Sequence, residues 1–312
     1  MTPQQIIGSQ FIGAKLARLI VLALSLALLA GQLGFLHQGF DAVAVFRLHL
    51  LPVLAVLLMA TFRLKMPLVR IFAGFVAMLS VVTIAPFARE MGAGPLAVDW
   101  RLFQQNMMIG NPRPADVAQY ILDNKPEFVT LQEVSHRSAQ VLDALASTYP
   151  TQVRCPQSYG FGVVILTRFP VVAGAKAGCD DIEKIAWVRV QSKNGPLTIV
   201  AVHLNWPWPW NYAGRQRRIQ RILSELPQPM VIAGDFNMVP WAVALQRLQG
   251  RTGTGWVGPM RFSFRPNGLQ VLLPIDQVLL PKGFEGRTKL VPGLGSDHYG
   301  LWVRVGRRTP PP

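Results

Sequence analysis

The feature that most constrains this chain is the uneven placement of its apolar residues. Three long apolar stretches fall within residues 16–87, roughly Leu16 to Leu36, Val45 to Phe62 and Pro67 to Pro86, and before Asp99 only Asp41 and Glu90 are acidic. About 20 apolar residues suffice for a helix to cross the hydrocarbon core of a bilayer, and a helix can do so because it satisfies its own backbone polar groups. The sequence therefore predicts an N-terminal membrane region over residues 1–90 with about three transmembrane helices. Arg47 and Arg70 lie near the starts of the second and third stretches, where long basic side chains can snorkel to headgroups. The first stretch is too long for a typical signal-peptide core, and two more follow it.

Charge placement predicts orientation. Lys15 and Arg18 precede the first stretch, and Arg63, Lys65 and Arg70 crowd the second connection, whereas HQGFDA in the first connection carries no Lys or Arg. By the positive-inside tendency, the N-terminus and the second connection are cytoplasmic. A multi-pass arrangement of three spans in a cell (inner) membrane then puts the remaining chain on the periplasmic or extracytoplasmic side; two spans would return it to the cytoplasm. Cys155 and Cys179 flank FGVVILTRFPVV, which reads as a strand and turn. A hairpin there could bring the two sulfurs together, and an extracytoplasmic compartment permits a disulfide, with two free buried thiols as the alternative.

The rest of the chain has a different character. Of 31 Lys and Arg, 24 lie beyond residue 95, with 14 of the 16 Asp and Glu, leaving a formal charge of +10 there. That balance favours anionic partners such as phosphates, nucleic acid or acidic headgroups, or serves solubility alone. Residues 91–98 read as a Gly- and Pro-containing linker, residues 99–306 as a catalytic domain, and residues 307–312 as a disordered tail. Strand-like runs (WRLFQQNMM, FVTLQEV, FGVVILT, WVRVQS, LTIVAVHL, MVIAGDF, PIDQVLL, LWVRV) alternate with helical ones. In AGRQRRIQRILSEL, Ile219, Ile222, Leu223 and Leu226 form one apolar face, and Arg215, Arg217, Arg218 and Arg221 largely occupy the others. Those arginines read as a solvated helix face or as a funnel for an anionic substrate. Many strands, few helices and no βαβ or internal repeat suggest an α/β or α+β sandwich. No Walker loop, dinucleotide fingerprint or zinc-ligand spacing occurs.

Polar residues end or follow the apolar strands in a particular order: Asn106 in FQQNMM, Glu133 in LQEV, His203 and Asn205 in VHLN, Asp235 and Asn237 in GDFN, Asp276 in PIDQVLL, and Asp297 with His298 in GSDH. Over about residues 99–306 this set resembles the endonuclease/exonuclease/phosphatase superfamily, which includes deoxyribonucleases, abasic-site endonucleases, inositol polyphosphate phosphatases and neutral sphingomyelinases. The resemblance implies an α/β fold, a four-layered α/β sandwich of two packed mixed β-sheets flanked by helices. It also implies divalent-metal-dependent hydrolysis of a phosphoester, with Mg2+ or Mn2+ as cofactor. A nuclease, a phospholipid or sphingomyelin phosphodiesterase, and a non-catalytic phosphate-binding module of the same fold are the alternatives. The expected partners are the lipid bilayer and an anionic phosphoester: lipid, nucleic acid or small molecule.

Phosphoester cleavage needs a cation on the phosphate oxygens, an activated water and a stabilised leaving group. Glu133 is a hard oxygen donor and by resemblance the principal metal ligand, with Asn106 and Asp297 beside it. His298 is the candidate base, and Asp276 by resemblance fixes its tautomer. Asp235 would orient the attacking water or protonate the leaving oxygen. Asn237 would donate to non-bridging oxygens, and His203 would contact the phosphate opposite His298. Asn205, Trp206, Trp208 and Arg168 are candidate substrate contacts. The WPWPW segment from Trp206 to Trp210 could stack on a base, touch headgroups or cap the core. Two positions depart from the family pattern: Gln277 follows Asp276, and Ser263–Phe264 with Arg265–Pro266 stands where related members have Thr-Trp-Pro. Both bear on substrate fit.

Overall fold

The computed structural model describes residues 3–89, 96–156, 162–207, 212–266 and 272–307. The chain forms two compact units, Met1–Pro86 with Trp241–Val243, and Phe87–Pro240 with Ala244–Pro312.

The first unit contains helices α1 (Pro3–Ala30), α2 (Gln38–Ala44), α3 (Arg47–Ala60) and α4 (Pro67–Ile84). Two segments, Ile12–Ala30 and Pro67–Ala88, are long and apolar enough to cross a membrane. The middle stretch is not one straight helix. α2 and α3 meet at 65°, and the pair qualifies only if the bent assembly is a single span. α3 alone has 14 residues, about 21 Å of rise against a hydrocarbon core of about 30 Å. The break falls at Phe46 (φ −93°, ψ 0°), immediately before Arg47. Arg47 is only 1% exposed, which corrects the snorkelled placement expected for it. Its Nη2 donates to Ser80 O at 3.3 Å and to the Thr83 hydroxyl, so its charge is turned among helices with hydrogen-bond acceptors rather than outward. Arg70 donates to the carbonyl oxygens of Thr61 and Phe62, which satisfies acceptors left over at the C-terminal end of α3. Val21, Leu28, Leu54, Ala73 and Val76 pack together inside the unit, while Leu19, Val56, Leu68, Ile71, Phe75 and Met78 stand exposed. An apolar exterior on apolar helices is what a lipid-facing surface requires, and the two long helices have the length and apolar character of candidate membrane spans.

The second unit runs β1 (Trp100–Asn106), α5 (Pro114–Asn124), β2 (Phe128–Val134), α6 (Gln140–Ala144), β3 (Thr151–Cys155) and β4 (Gly162–Thr167). It continues with β5 (Gly178–Asp180), β6 (Ile185–Ser192), β7 (Gly195–His203), α7 (Tyr212–Glu225), β8 (Met230–Asp235) and α8 (Val243–Thr252). The last elements are β9 (Thr254–Trp256), β10 (Asp276–Pro281), β11 (Phe284–Val291) and β12 (Gly300–Arg307). Two six-stranded sheets result, with orders β11-β12-β1-β2-β4-β3 and β5-β6-β7-β8-β10-β9. The pairs β1–β2 and β7–β8 are parallel; the other neighbours are antiparallel. Both sheets are therefore mixed, and helices flank them in a four-layered α/β sandwich. Each sheet is organised around one strand–helix–strand crossover, β1-α5-β2 or β7-α7-β8. The sequence shows no βαβ repeat, yet one such crossover occurs in each sheet, without recurring residues to mark it.

The strands were conspicuous because the central ones are buried on both faces, which favours continuous apolar runs over alternation. One apolar layer lies between the sheets and includes Trp100, Leu102, Phe128, Ile199, Ala201, Val231, Ala233, Val278 and Leu280. Another includes Phe103, Val129 and Leu131 with Val117 and Ile121 of α5 and Leu142 of α6. The period of two then positions the site. On β1 the inter-sheet residues read Trp100, Leu102, Gln104, Asn106; on β2, Phe128, Thr130, Gln132; on β7, Leu197, Ile199, Ala201, His203; on β8, Val231, Ala233, Asp235; and on β10, Asp276, Val278, Leu280. In each strand the same face changes from apolar to polar toward one rim of the sandwich.

Candidate active site

That rim holds a cleft of about 440 Å³ lined by Glu133, Lys184, His203, Asn205, Trp206, Asp235, Asn237, Phe264, Ile275, Asp297 and His298. Local backbone devices aim several of these groups. β8 lies parallel to β7, with Asp235 beside His203 and Gly234 beside Val202. Gly234 has φ +152°, and a Cβ there would sit 2.0 Å from Val202 O, so the GDFN glycine permits this approach. Glu133 has φ +55° where the β2–β4 register shifts between Leu131 and Val134. A bulge of this kind redirects a side chain and holds a left-handed residue at a cost of about 1–3 kcal/mol. Asn237 has φ +49°, a conformation Asn tolerates better than most residues; its N–H donates to Asp235 Oδ1 at 2.8 Å and its Nδ2 to Leu204 O at 2.7 Å. The amide assigned to phosphate is thus partly committed to fixing the VHLN turn.

Side-chain contacts organise the centre. His298 Nδ1 donates to Asp276 Oδ2 at 2.7 Å, leaving Nε2 3.9 Å from Asp235 Oδ2. Gln104 Nε2 donates to Asp276 Oδ1 at 2.7 Å and to Gln132 Oε1 at 2.8 Å, so the orienting carboxylate is itself held. Asn106 Nδ2 donates to Glu133 Oε1 at 3.0 Å and to Asp235 Oδ2 at 3.1 Å, drawing two acids together. His203 Nε2 stands 3.6 Å from Glu133 Oε1 and 3.8 Å from Asp235 Oδ2. Ser296 Oγ donates to Asn106 O at 2.7 Å and accepts the His298 N–H at 3.0 Å, bringing GSDH to the end of β1. The Phe264 ring lies 4.7 Å from the His298 ring.

These surroundings set the proton affinities. Burial, and then the Lys184 and His298 charges, push the His203 imidazole down to about 3, so it is neutral at neutral pH. Burial and the neighbouring Asp276 push Asp235 up to about 7. Burial works against protonation of His298, but the charge and hydrogen bond of Asp276, with Asp235 and Asp297, outweigh it and lift the group to about 10. The carboxylates around His298, Asp276 first, thus favour its protonated form. Burial lowers Lys184, with Glu133 and Asp235 acting in the opposite direction.

The donor chemistry fits a hard divalent ion. Asp235, Asp276 and His298 can bring one ligand atom each within 4.8 Å of one another. This compact group differs from the Asn106, Glu133 and Asp297 set read from sequence. The 2.7 Å bond between His298 and Asp276 occupies a ring nitrogen and a carboxylate oxygen of the compact group, whereas Glu133 and Asp297 offer carboxylate oxygens, which suit magnesium or manganese; Asn106 turns its amide nitrogen to Glu133 and Asp235, and its Oδ1 accepts the Met108 N–H at 3.0 Å.

Of the residues singled out in sequence, Glu133, His203, Asn205, Trp206, Asp235, Asn237, Asp297 and His298 line the cleft, and Asn106 and Asp276 lie directly behind them. Trp208 falls outside the described residues. Arg168 is corrected: it follows β4 and pairs with Glu127, which precedes β2 and also holds Arg101 at 3.0 Å. β2 separates Glu127 from Glu133, so Arg168 is about 20 Å from the cleft end of the sheet, given a rise of about 3.3 Å per residue. The arginines of α7 divide. Arg215 Nε binds Glu183 Oε2 at 3.1 Å and Arg218 Nη2 binds Asp180 Oδ2 at 2.7 Å, while Arg217 and Arg221 are exposed. Sequence reasoning missed Lys184, Ile275, Gln104 and Gln132, and gave Phe264 no more than a part in substrate fit. The QQN run ending β1 was a signal for Gln104; Lys184, within DDIEK, had none.

Two mixed sheets packed face to face, with acids, imidazoles and amides delivered to one rim, define an α/β sandwich with a polar cleft at one edge. Residues 100–298 match the model of the Endonuclease/Exonuclease/phosphatase family, and the chain belongs to that family. Its members are in general hydrolases of phosphoester bonds. Among solved structures, a family protein from Bacteroides vulgatus aligns at 17% identity and TM-score 0.53, covering 67% of this chain and 99% of that one. A humanised D. rerio TDP2 aligns at 16% identity and TM-score 0.52, covering 66% and 98%. A Staphylococcus aureus beta toxin variant, solved with bound magnesium ions, aligns at 13% identity and TM-score 0.50, covering 66% and 99%. At these identities the likeness is one of fold. No curated protein matches the chain.

Proposed function

We propose that this protein is a membrane-anchored, divalent-metal-dependent phosphoester hydrolase. The observation that carries the reading is the Asp276–His298 pair facing Asp235 across 3.9 Å inside the cleft. That gap is too long for a hydrogen bond and leaves room for one shared oxygen, from water or substrate.

Glu133, Asn106 and Asp297 would hold the ion, Mg2+ or Mn2+. When bound, it supplies Lewis acidity to the phosphate and positive potential to the surrounding acids. Asp276 fixes the His298 ring, and His298 Nε2 orients the attacking water or a phosphate oxygen. Asp235 holds or moves a proton at Oδ2, suited to it by an affinity near neutrality. The neutral His203 imidazole and the Asn237 amide face the phosphate. Asn205 and Trp206 border the substrate on the open side.

The exposed apolar helices of the first unit support anchoring, and counting the bent pair as one span gives three crossings in a cell membrane. Cys155 and Cys179 are disulfide-bonded, with Cα atoms 5.7 Å apart. An oxidised pair favours the periplasmic or extracytoplasmic side. The natural substrate is an anionic phosphoester: lipid, nucleic acid or small molecule.

The test is hydrolysis of bis-p-nitrophenyl phosphate, plasmid DNA and sphingomyelin by purified full-length protein with Mg2+, Mn2+ or chelator. The expected result is metal-dependent turnover reduced at least about 100-fold in His298→Ala and in Glu133→Ala. Undiminished activity in either variant, or no turnover with any ion, refutes the reading. A C-terminal reporter active in only one compartment tests topology, and a cytoplasmic signal removes the three-span arrangement.

A further inference from the structure

We infer that Lys184 is a substrate-binding residue, a fixed ammonium that grips a non-bridging oxygen of the phosphoester, presented by a turn braced for that purpose. The inference rests on reading the cleft as a phosphoester site.

Lys184 lines the cleft with Glu133, His203 and Asp235. It is partly withdrawn from water, yet its ammonium has no hydrogen-bond or ion-pair partner among the described residues. The arginines nearby differ: Arg215 and Arg218 are both engaged with acids. A cation drawn into a cleft without a directly bonded anion is unfavourable by itself, and an incoming phosphate oxygen relieves it.

The backbone leading to Lys184 is held at several points. Cys179 on β5 is bonded to Cys155 on β3, which ties the edge of one sheet to the edge of the other. Asp180 Oδ1 accepts the Glu183 N–H at 2.8 Å, closing the turn. Arg215 and Arg218 of α7 grip Glu183 and Asp180 from outside. Lys184 itself has φ +57°, a left-handed conformation that L-residues adopt only under constraint. Its carbonyl accepts the His203 N–H at 3.0 Å, so the same residue fixes the backbone of a second cleft-lining group. A solvated surface lysine requires none of this support; a lysine that must meet an anion at a defined place does.

The experiment uses the full-length protein in detergent with Mg2+. Orthophosphate binding is measured by calorimetry, and kcat and KM are measured on bis-p-nitrophenyl phosphate, for wild type, Lys184→Gln and Lys184→Arg. Losing one charge-assisted contact should weaken orthophosphate and raise KM by about tenfold or more in Lys184→Gln, with kcat changed far less. Lys184→Arg should recover most of the binding, which a merely structural role would not predict. Cys155→Ser with Cys179→Ser should weaken phosphate in the same direction by loosening the turn. Wild-type phosphate affinity in Lys184→Gln, or no phosphate binding by the wild type, overturns the inference. Binding that depends on Lys184 in a protein that hydrolyses none of the esters leaves the inference standing and removes the catalytic reading.

Discussion

Gly234→Ala probes how β8 carries Asp235 into the cleft. The added Cβ would lie 2.0 Å from Val202 O and 2.9 Å from Val202 C. Carbon–oxygen contacts in sheets come no closer than about 3.3 Å, so the β7–β8 spacing must open locally by about 1.3 Å. Both obstructing atoms are backbone, and no side chain can swing away. Stretching the adjoining ladder hydrogen bonds costs about 1 kcal/mol each, and forcing an extra methyl into packed structure about 1–3 kcal/mol, for about 3–5 kcal/mol in total. With roughly 2–4 °C lost per kcal/mol in a domain of this size, the melting temperature should fall by about 10 °C. Asp235 follows Gly234 and stands beside His203, so a displacement of this size should also lower kcat/KM by about 100-fold. Gly255→Ala is the control, because a Cβ there meets nothing within 4 Å. Thermal unfolding of full-length protein in detergent, followed by tryptophan fluorescence with parallel hydrolysis assays, reads both effects. A Gly234→Ala protein that melts with the wild type and turns over normally would refute the close-approach argument.

Gln104→Leu should lower kcat by roughly 10–100-fold with KM little changed, because Asp276 Oδ1 and Gln132 Oε1 both lose a buried donor; steady-state kinetics on the surrogate ester checks this. Glu127→Gln should cost about 1–3 kcal/mol at neutral pH by leaving Arg101 and Arg168 without their shared anion, a range reduced because both arginines are about a third exposed. Burial would raise the Glu127 pKa, but the hydrogen bonds and charge of Arg101 with the charge of Arg168 hold it below the ordinary glutamate value. Its contribution is therefore fully present above the unfolded pKa near 4.5 and is lost as pH falls through the depressed folded value, so wild type and variant should converge in stability only in acid. Denaturation at several pH values reads this convergence, and a stability gap unchanged below pH 3 would count against it.

Much of the site was legible in the sequence because strand ends are local. A polar residue closing an apolar run, as in LQEV, VHLN or GDFN, must emerge where the strand leaves the core, and a packed sandwich collects such ends at one rim. The order of these residues was enough to place eight expected groups in one cleft. The two long apolar helices were legible for the same reason, since length and hydropathy are summed along the chain. Arg168 failed this logic because the end of a strand at which a residue lies depends on strand direction, and β4 runs antiparallel to β2. The bend before Arg47 was also hidden, because it goes with hydrogen bonds to Ser80 and Thr83, more than 30 residues away.

By itself, then, the sequence determined which segments are apolar helices, which are strands, and which acids, amides and imidazoles close those strands, because each depends on residues close together in the chain. Tertiary structure alone decided that β1-α5-β2 and β7-α7-β8 repeat one topology without a repeated sequence, that Gln104 restrains Asp276, that neighbouring carboxylates favour a protonated His298 while burial keeps His203 neutral, and that a turn tied by Cys155–Cys179 delivers Lys184 to the cleft. Those outcomes depend on desolvation and on charges brought together from distant positions, and neither exists until the two sheets have closed on each other.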